Sequence, residues 1–430
     1  MCLGVQAVCM WWFRTTIRQY RMTTDPRLAK LRATATGFLL CAVLAGCNGR
    51  HDDMPAAADD VPVLSVPLKR DGHWLLEARS ADGKSVRVLL DTGATLNVLD
   101  RRGRLAAVPM TPAAEAVFLR NGLLSEPVGD RAVTSGTASD TMRMELGTSP
   151  AIRLDGWSIP AGGPVLIGDM ARLSSVYERP FDGIIGMESM RNLTWRADYV
   201  AGRLSAYAGE APAHAWQQCA FMTLDAAQRT PLIELRLRDE PLPFLLDTGD
   251  NGDVALPQET FDAIAEAQWF ERINTTFSYD ATDRFTPNQQ GLIAGFAIGQ
   301  KALPKLTVLA GSPTPRIGQG LLEKMDRFEM DFRHYRFCFD LPDTPKDSTP
   351  SIIGAGLQRA GDRYRVAALA PDGRLAASGI EIGDRVVMVE RTSVATLKFV
   401  RLLELLNAAA TGEVTIERGK RTLVIKLRAI

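Results

Sequence analysis

The sequence is poor in the side chains that most hydrolytic and metal chemistry requires. Histidine occurs only four times in 430 residues, as His51, His73, His214 and His334, and never as a His-Glu-x-x-His pair. Cys-x-x-Cys, Gly-x-Ser-x-Gly and a phosphate-cradling glycine loop are also missing, so metallohydrolase, serine-hydrolase and nucleotide-loop chemistries lack their residues. His334 lies near Cys338, but arginine and aromatic neighbours at strand spacing give both a structural reading rather than a nucleophilic one. No metal and no organic cofactor is implied. An excess of positive charge is lacking too: 50 basic residues face 50 acidic ones. Leaving out residues 1–46 leaves 44 basic against 49 acidic residues, a net charge of −5. With no basic stripe interleaved with aromatics, nucleic acid is not a partner. Hydrophobic content of 46% and charged content of 23% exclude a disordered or multi-span membrane chain. The length suits about three domains.

What is present begins with an address. A basic patch from Arg27 to Arg32 precedes the apolar residues 33–44, a stretch of signal-peptide length that is too short to cross a bilayer. It ends in Leu44-Ala45-Gly46-Cys47, followed by Asn48. This resembles the bacterial lipoprotein signal, which implies lipidation of Cys47, removal of residues 1–46, and a periplasm-facing protein of the cell envelope at the outer membrane. Several acyl chains would then supply the only membrane attachment, each buried methylene contributing roughly 0.8 kcal/mol. Met22 is the alternative start. Residues 47–61, with Asp52, Asp53, Asp59 and Asp60 among alanines, read as a flexible tether. Of six cysteines, Cys219 and Cys338 remain beyond it. In an oxidising compartment they pair as a disulfide closing a loop of over a hundred residues, worth roughly 4–5 kcal/mol by chain entropy; the alternative is two buried thiols.

An internal repeat carries the chemistry. Val88-Leu89-Leu90-Asp91-Thr92-Gly93-Ala94 is echoed by Phe244-Leu245-Leu246-Asp247-Thr248-Gly249-Asp250. Each is an apolar run, read as a buried strand, that breaks at Asp-Thr-Gly and so presents a carboxylate at a strand end. Downstream come Asp182-Gly183-Ile184-Ile185-Gly186 in one half and Arg316-Ile317-Gly318 in the other, then acidic and aromatic segments ending at Asp198 and Asp331. The two glycines, 186 and 318, are 132 residues apart and the two aspartates 133. One Asp-Thr-Gly arises by chance in roughly one chain in ten of this length. Two, each behind an apolar strand and before an apolar-Gly segment, point to two halves of one design.

These halves resemble the two lobes of a pepsin-like or retropepsin-like aspartic peptidase over about residues 62–341. The resemblance implies lobes at 62–209 and 215–341 whose Asp-Thr-Gly loops meet, so that Asp91 and Asp247 share one proton and one water and hydrolyse peptide bonds without a cofactor. It implies that Thr92 and Thr248 cross-link the loops and that Gly93 and Gly249 let backbone amides reach the carboxylates. It also implies a substrate-covering hairpin, with residues 133–138 as its tip. Two positions depart from the pattern. Arg316 stands where an apolar residue is expected, and Asp250 replaces a small or hydroxyl residue. Asp250 is expected to point outward with Asp253 as a solvated loop charge; pointing inward, it would raise the pair's affinity for protons.

A polar, proline-rich linker at 342–350 leads to a module at 351–430. Strands are expected at 364–369 and 384–389, a short helix at 373–378, a helix at 396–410, and a terminal hairpin around Gly419. This order resembles bacterial PDZ domains, which implies a peptide-binding loop at Gly354, Gly356 and Leu357 and a ligand with a free C-terminus; a packing-only module is the alternative. The expectation is therefore a mainly β chain with a bilobal aspartic-protease barrel fold and a small α+β PDZ-like domain. It would work as a monomeric, lipid-anchored aspartic endopeptidase acting on peptide or protein substrates. The alternative is a catalytically inactive peptide-binding scaffold.

Overall fold

A computed structural model describes residues 61–428 apart from 71–72, 112, 117–131, 135–140, 171–180, 227–228, 239, 280–284 and 409–411. Cys47, the signal, nearly all of the tether and most of the expected hairpin tip lie outside the described residues; the arms Ala132–Thr134 and Thr141–Arg143 pair antiparallel. The chain is mainly β, with a curled half-barrel sheet. Among the described residues no helix is long and apolar enough to cross a membrane.

In the first half the strand Ser85–Leu90 runs parallel to Gly183–Ile185, pairing Val88 with Gly183, Leu89 with Ile184 and Leu90 with Ile185. A strand covered on both faces reads as a continuous apolar run rather than an alternating one, and Val88, Leu89 and Leu90 are all buried. Asn97–Asp100 pairs antiparallel on the far side of Gly183–Ile185. Position 183 needs glycine, because a Cβ there would come 2.8 Å from the carbonyl oxygen of Val98.

The second half repeats this arrangement. Glu240–Leu246 runs parallel to Arg316–Ile317, pairing Leu245 with Arg316 and Leu246 with Ile317, and Val254–Leu256 pairs antiparallel on the other side. Even the strand ends correspond: the Asp91 amide donates to Ile185 O at 3.0 Å and the Asp247 amide to Ile317 O at 2.9 Å. A shared sheet joins the halves. Thr194–Asp198 pairs antiparallel with Arg327–Asp331, and at its centre Arg196 binds Glu329 across the seam. Trp74 stacks on Phe328 with ring centroids 5.8 Å apart and on Trp195 at 6.4 Å. Such pairs contribute about 0.5–1.5 kcal/mol each beyond the area they bury, so one core serves both halves. Cys219 and Cys338 sit opposite each other in paired strands and form a disulfide spanning 119 positions of sequence.

Residues 351–428 have a core of their own, including Tyr364, Val366, Leu402 and Ile416, beneath a six-stranded sheet. Strands Arg363–Leu369 and Arg385–Val389, the short helix Arg374–Ala377 and the hairpin Glu413–Arg418 with Arg421–Lys426 are present. The hairpin turns through Gly419 at φ 63°, a left-handed conformation that glycine adopts at little cost. The long helix spans Phe399–Ala408, later than the expected start at 396, because Val394–Thr396 forms a 3-10 turn capped by Ser393.

The linker is not a free tether. The Lys305 amide donates to Asp347 at 2.9 Å, the Ser348 amide to Lys305 O at 2.9 Å, and the Ser348 hydroxyl to Asp253. Polar composition alone could not separate a solvated linker from one whose polar groups are satisfied on a neighbouring strand. The module in turn meets the hairpin Arg272–Tyr279 with Phe285–Ile293, the Ser351 amide donating to Gln290 Oε1 at 2.9 Å and Thr275 Oγ1 to Asp372 at 3.0 Å.

Candidate active site

The two Asp-Thr-Gly turns meet. Leu90 and Leu246 end buried strands, and the turns after them lie against each other through Thr92 and Thr248, both fully buried. The Thr92 amide donates to Thr248 Oγ1 at 3.0 Å and the Thr248 amide to Thr92 Oγ1 at 3.1 Å. Each hydroxyl then donates across the seam to the carbonyl before the opposite aspartate, Thr92 to Leu246 O at 2.6 Å and Thr248 to Leu90 O at 3.0 Å. A hydroxyl is the smallest group that accepts and donates at once, so one threonine in each turn closes a reciprocal four-bond lock.

That lock brings the carboxyls of Asp91 and Asp247 within hydrogen-bonding contact of each other. The Gly93 amide donates to Asp91 Oδ1 at 2.8 Å and the Gly249 amide to Asp247 Oδ1 at 3.0 Å. The glycines are needed for space. A Cβ on Gly93 would lie 2.5 Å from Asp247 Oδ1, and one on Gly249 would lie 2.6 Å from Asp91 Oδ2. Burial raises the pKa of Asp91. Burial, reinforced by the Asp91 charge and opposed by Arg316, pushes Asp247 up to about 7. Two carboxyls this close titrate as a unit, and over a wide pH range the unit holds one proton. It therefore offers one general base and one general acid at the same point in space.

Four residues around the pair take places that the sequence did not assign them. Arg316 places Nη1 at 3.3 Å from Asp247 Oδ2 and 3.7 Å from Asp250 Oδ2. Asp250 does not point outward: its Oδ1 accepts the Gly252 amide at 2.7 Å, its Oδ2 faces Arg316, and burial followed by the Asp247 charge raises its pKa. Asp253 is no solvated loop charge either, being buried and accepting from Thr307 N at 2.8 Å, Thr307 Oγ1 at 2.6 Å and Ser348. Gln319, also buried, donates to Thr248 O at 3.4 Å and accepts from the Tyr199 hydroxyl at 3.2 Å, bracing the turn from behind. The signal for Arg316 was present as the charged residue in an apolar register; its partners Asp247 and Asp250 are 69 and 66 positions away and visible only through the sheet pairing.

Gly354, Gly356 and Leu357 do not present an open loop. Ala355–Ala360 is a strand, Leu357 is buried in the module core, and a Cβ on Gly356 would run into the Phe285 ring from the second half. Gly354, at φ 62°, packs on Gly373. Cys338 is bonded to Cys219, and His334 Nδ1 lies 2.8 Å from Asp331. Among the described residues no cluster of His, Cys, Asp and Glu has metal-binding geometry. No protein-family model and no curated protein matches the sequence.

Proposed function

We propose that the protein is an aspartic endopeptidase in which Asp91 and Asp247 activate a water against a peptide carbonyl. The observation that carries this reading is the pair itself: two carboxyls in mutual contact, Asp247 buried and Asp91 half-buried, each at a strand end and fixed by the reciprocal threonine lock. With one proton between them, the ionised member removes a proton from the water as its oxygen bonds to the carbonyl carbon. The protonated member gives its proton to the carbonyl oxygen, leaving a neutral gem-diol and a dyad that again holds one proton. Transfer of a proton to the amide nitrogen, with return of one from a gem-diol hydroxyl, lets the C–N bond break into an acid and an amine. A fixed cage matters because each carboxyl must stay within hydrogen-bond reach through both transfers.

On the same footing we read residues 351–430 as a PDZ-like module that positions substrate, and Cys47 as the lipidated residue of an envelope protein. The test is cleavage of an unfolded protein from acidic to neutral pH by wild type and by Asp91→Asn and Asp247→Asn. Loss of cleavage in both variants is expected. Variants as active as wild type overturn the proposal, and binding without cleavage at every pH gives the rival reading, an inactive peptide-binding scaffold.

A further inference from the structure

The two halves differ at the pair in one respect. By the repeat, Asp250 corresponds to Ala94 and Arg316 to Ile184. The sheet pairing agrees: Ile184 lies between Leu89 and Val98, Arg316 between Leu245 and Ala255. In the first half the corresponding residues pack together in an apolar cluster, Ile184 within it and Ala94 against it. In the second half both are charged, oppositely, and they face each other at 3.7 Å. A cation alone beside Asp247 would hold the pair in its doubly ionised form, and an anion alone would hold it doubly protonated. Here both charges were introduced, on the same side and at matching positions.

We propose that Asp250 and Arg316 form a charge-compensated pair of positioning residues that sets the pH window in which the Asp91–Asp247 dyad works, Asp250 drawing Arg316 away from full neutralisation of Asp247. The inference rests on the aspartic-dyad reading of the site. The Asx turn through which Asp250 Oδ1 accepts the Gly252 amide fixes that carboxylate so that Oδ2 faces the guanidinium. The loop is fixed as well, since the Gln319 amide donates to Asp250 O at 2.7 Å and the Gly320 amide to Gly252 O at 3.0 Å. Arg316 is held between the two carboxylates, half-buried, with its Nε buried and unpaired. The charged groups facing Asp247 are then Asp91 from the opposite turn, Asp250 from its own loop and Arg316 from the neighbouring strand; Asp253 is occupied by Thr307 and Ser348.

The signs follow from the charges. Removing Arg316 leaves the anion of Asp250 unopposed, so both proton-release steps of the dyad move to higher pH. Removing Asp250 leaves Arg316 unopposed, so both move to lower pH. The experiment measures the pH profile of kcat/KM on a fluorescently labelled unfolded protein for wild type, Arg316→Ile, Asp250→Ala, the double variant and Arg316→Lys. Expected are shifts of about 1–3 pH units, upward for Arg316→Ile and downward for Asp250→Ala. The double variant, which copies the apolar pair of the first half, should fall between them, and Arg316→Lys should lie near wild type. Single-variant profiles that coincide with wild type, or that move in the same direction, overturn the inference. If wild type cleaves nothing at any pH, it is the dyad reading that fails. The charge relationship is then read from the pH dependence of Tm in the same variants, where opposite displacements support it and superimposable curves overturn it.

Discussion

Thr92 and Thr248 each accept a hydrogen bond from the other's backbone amide and donate one to the carbonyl of the residue before the other's aspartate, so neither turn can move without breaking bonds in both. Replacing either with valine keeps the shape but leaves a buried amide and a buried carbonyl unpaired. Each variant should lose about 1–3 kcal/mol in denaturant unfolding. Each hydroxyl makes its own two of the four bonds, but all four join the same two turns, so the first substitution loosens the seam on which the remaining two depend and the double variant should lose less than the sum. Thr→Ser at either site keeps the hydroxyl and should retain most of the stability. Additive losses would show that the two turns do not act as one lock.

Gly93 and Gly249 test the spacing of the carboxyls rather than the backbone conformation. Neither lies at positive φ, so alanine is compatible with the turn, yet its methyl would occupy the place of the opposite carboxylate. Gly93→Ala and Gly249→Ala should therefore abolish peptide cleavage while the far-UV spectrum stays that of a mainly β protein. Activity near that of wild type in either variant would mean that the carboxyls do not work as a contacting pair.

The pair should also appear in stability against pH. Asp247 is raised from 3.8 to about 7, chiefly by burial. Between those values the folded chain holds a proton that the unfolded chain has released, so the stabilisation is complete below 3.8 and is lost as pH rises through about 7. Asp247→Asn, neutral at every pH, should remove that slope and be the more stable protein at neutral pH, with Tm higher by about 2–4 °C for each kcal/mol recovered. Parallel wild-type and variant curves from acid to neutral would contradict the raised pKa.

The disulfide adds a constraint of a different kind. Cys219 and Cys338 sit in strands already paired in the ladder, so the bond contributes little new native contact and acts mainly on the unfolded chain. For the 119-position separation the chain-entropy argument gives about 5 kcal/mol. Cys219→Ser with Cys338→Ser should lower the denaturation midpoint by a corresponding amount with an altered m-value, since the unfolded ensemble itself changes. Identical gel mobility of reduced and non-reduced wild type would be inconsistent with the bond.

The repeated strand, turn and glycine were legible in the sequence because their determinants are local: an apolar run, a break, and a residue without a Cβ. Asp250 and Arg316 stand out in the sequence only as charges that break the repeat, and nothing local to either shows what it meets. A charged residue after a turn is ordinarily solvated, and only the register of Glu240–Leu246 against Arg316–Ile317 brings the guanidinium to Asp247. The same holds for Asp253 and Ser348, which look like loop and linker polarity until they are seen bonded across 95 positions. At Gly356 the glycine was visible but its purpose was not, because the ring it accommodates comes from a hairpin some 70 positions earlier in the chain.

Phe285 and Gly356 supply the last prediction. The ring lies where any side chain at 356 would go, and around it Ser351, Gln290, Thr275 and Asp372 hydrogen-bond across the same junction. Phe285→Ala removes the apolar centre of that junction while keeping its polar rim, and rim contacts alone are weak because water competes for them. The variant should keep both hydrophobic cores, yet limited proteolysis should cut it more readily within 342–350, since a loosened module leaves its motion to be borne by the strap, which Asp347 and Ser348 pin to the second half. Gly356→Val should produce the same pattern from the other side by expelling the ring. If both variants are cut no faster than wild type, the polar bonds and the strap alone hold the module, and the glycine at 356 answers some other need.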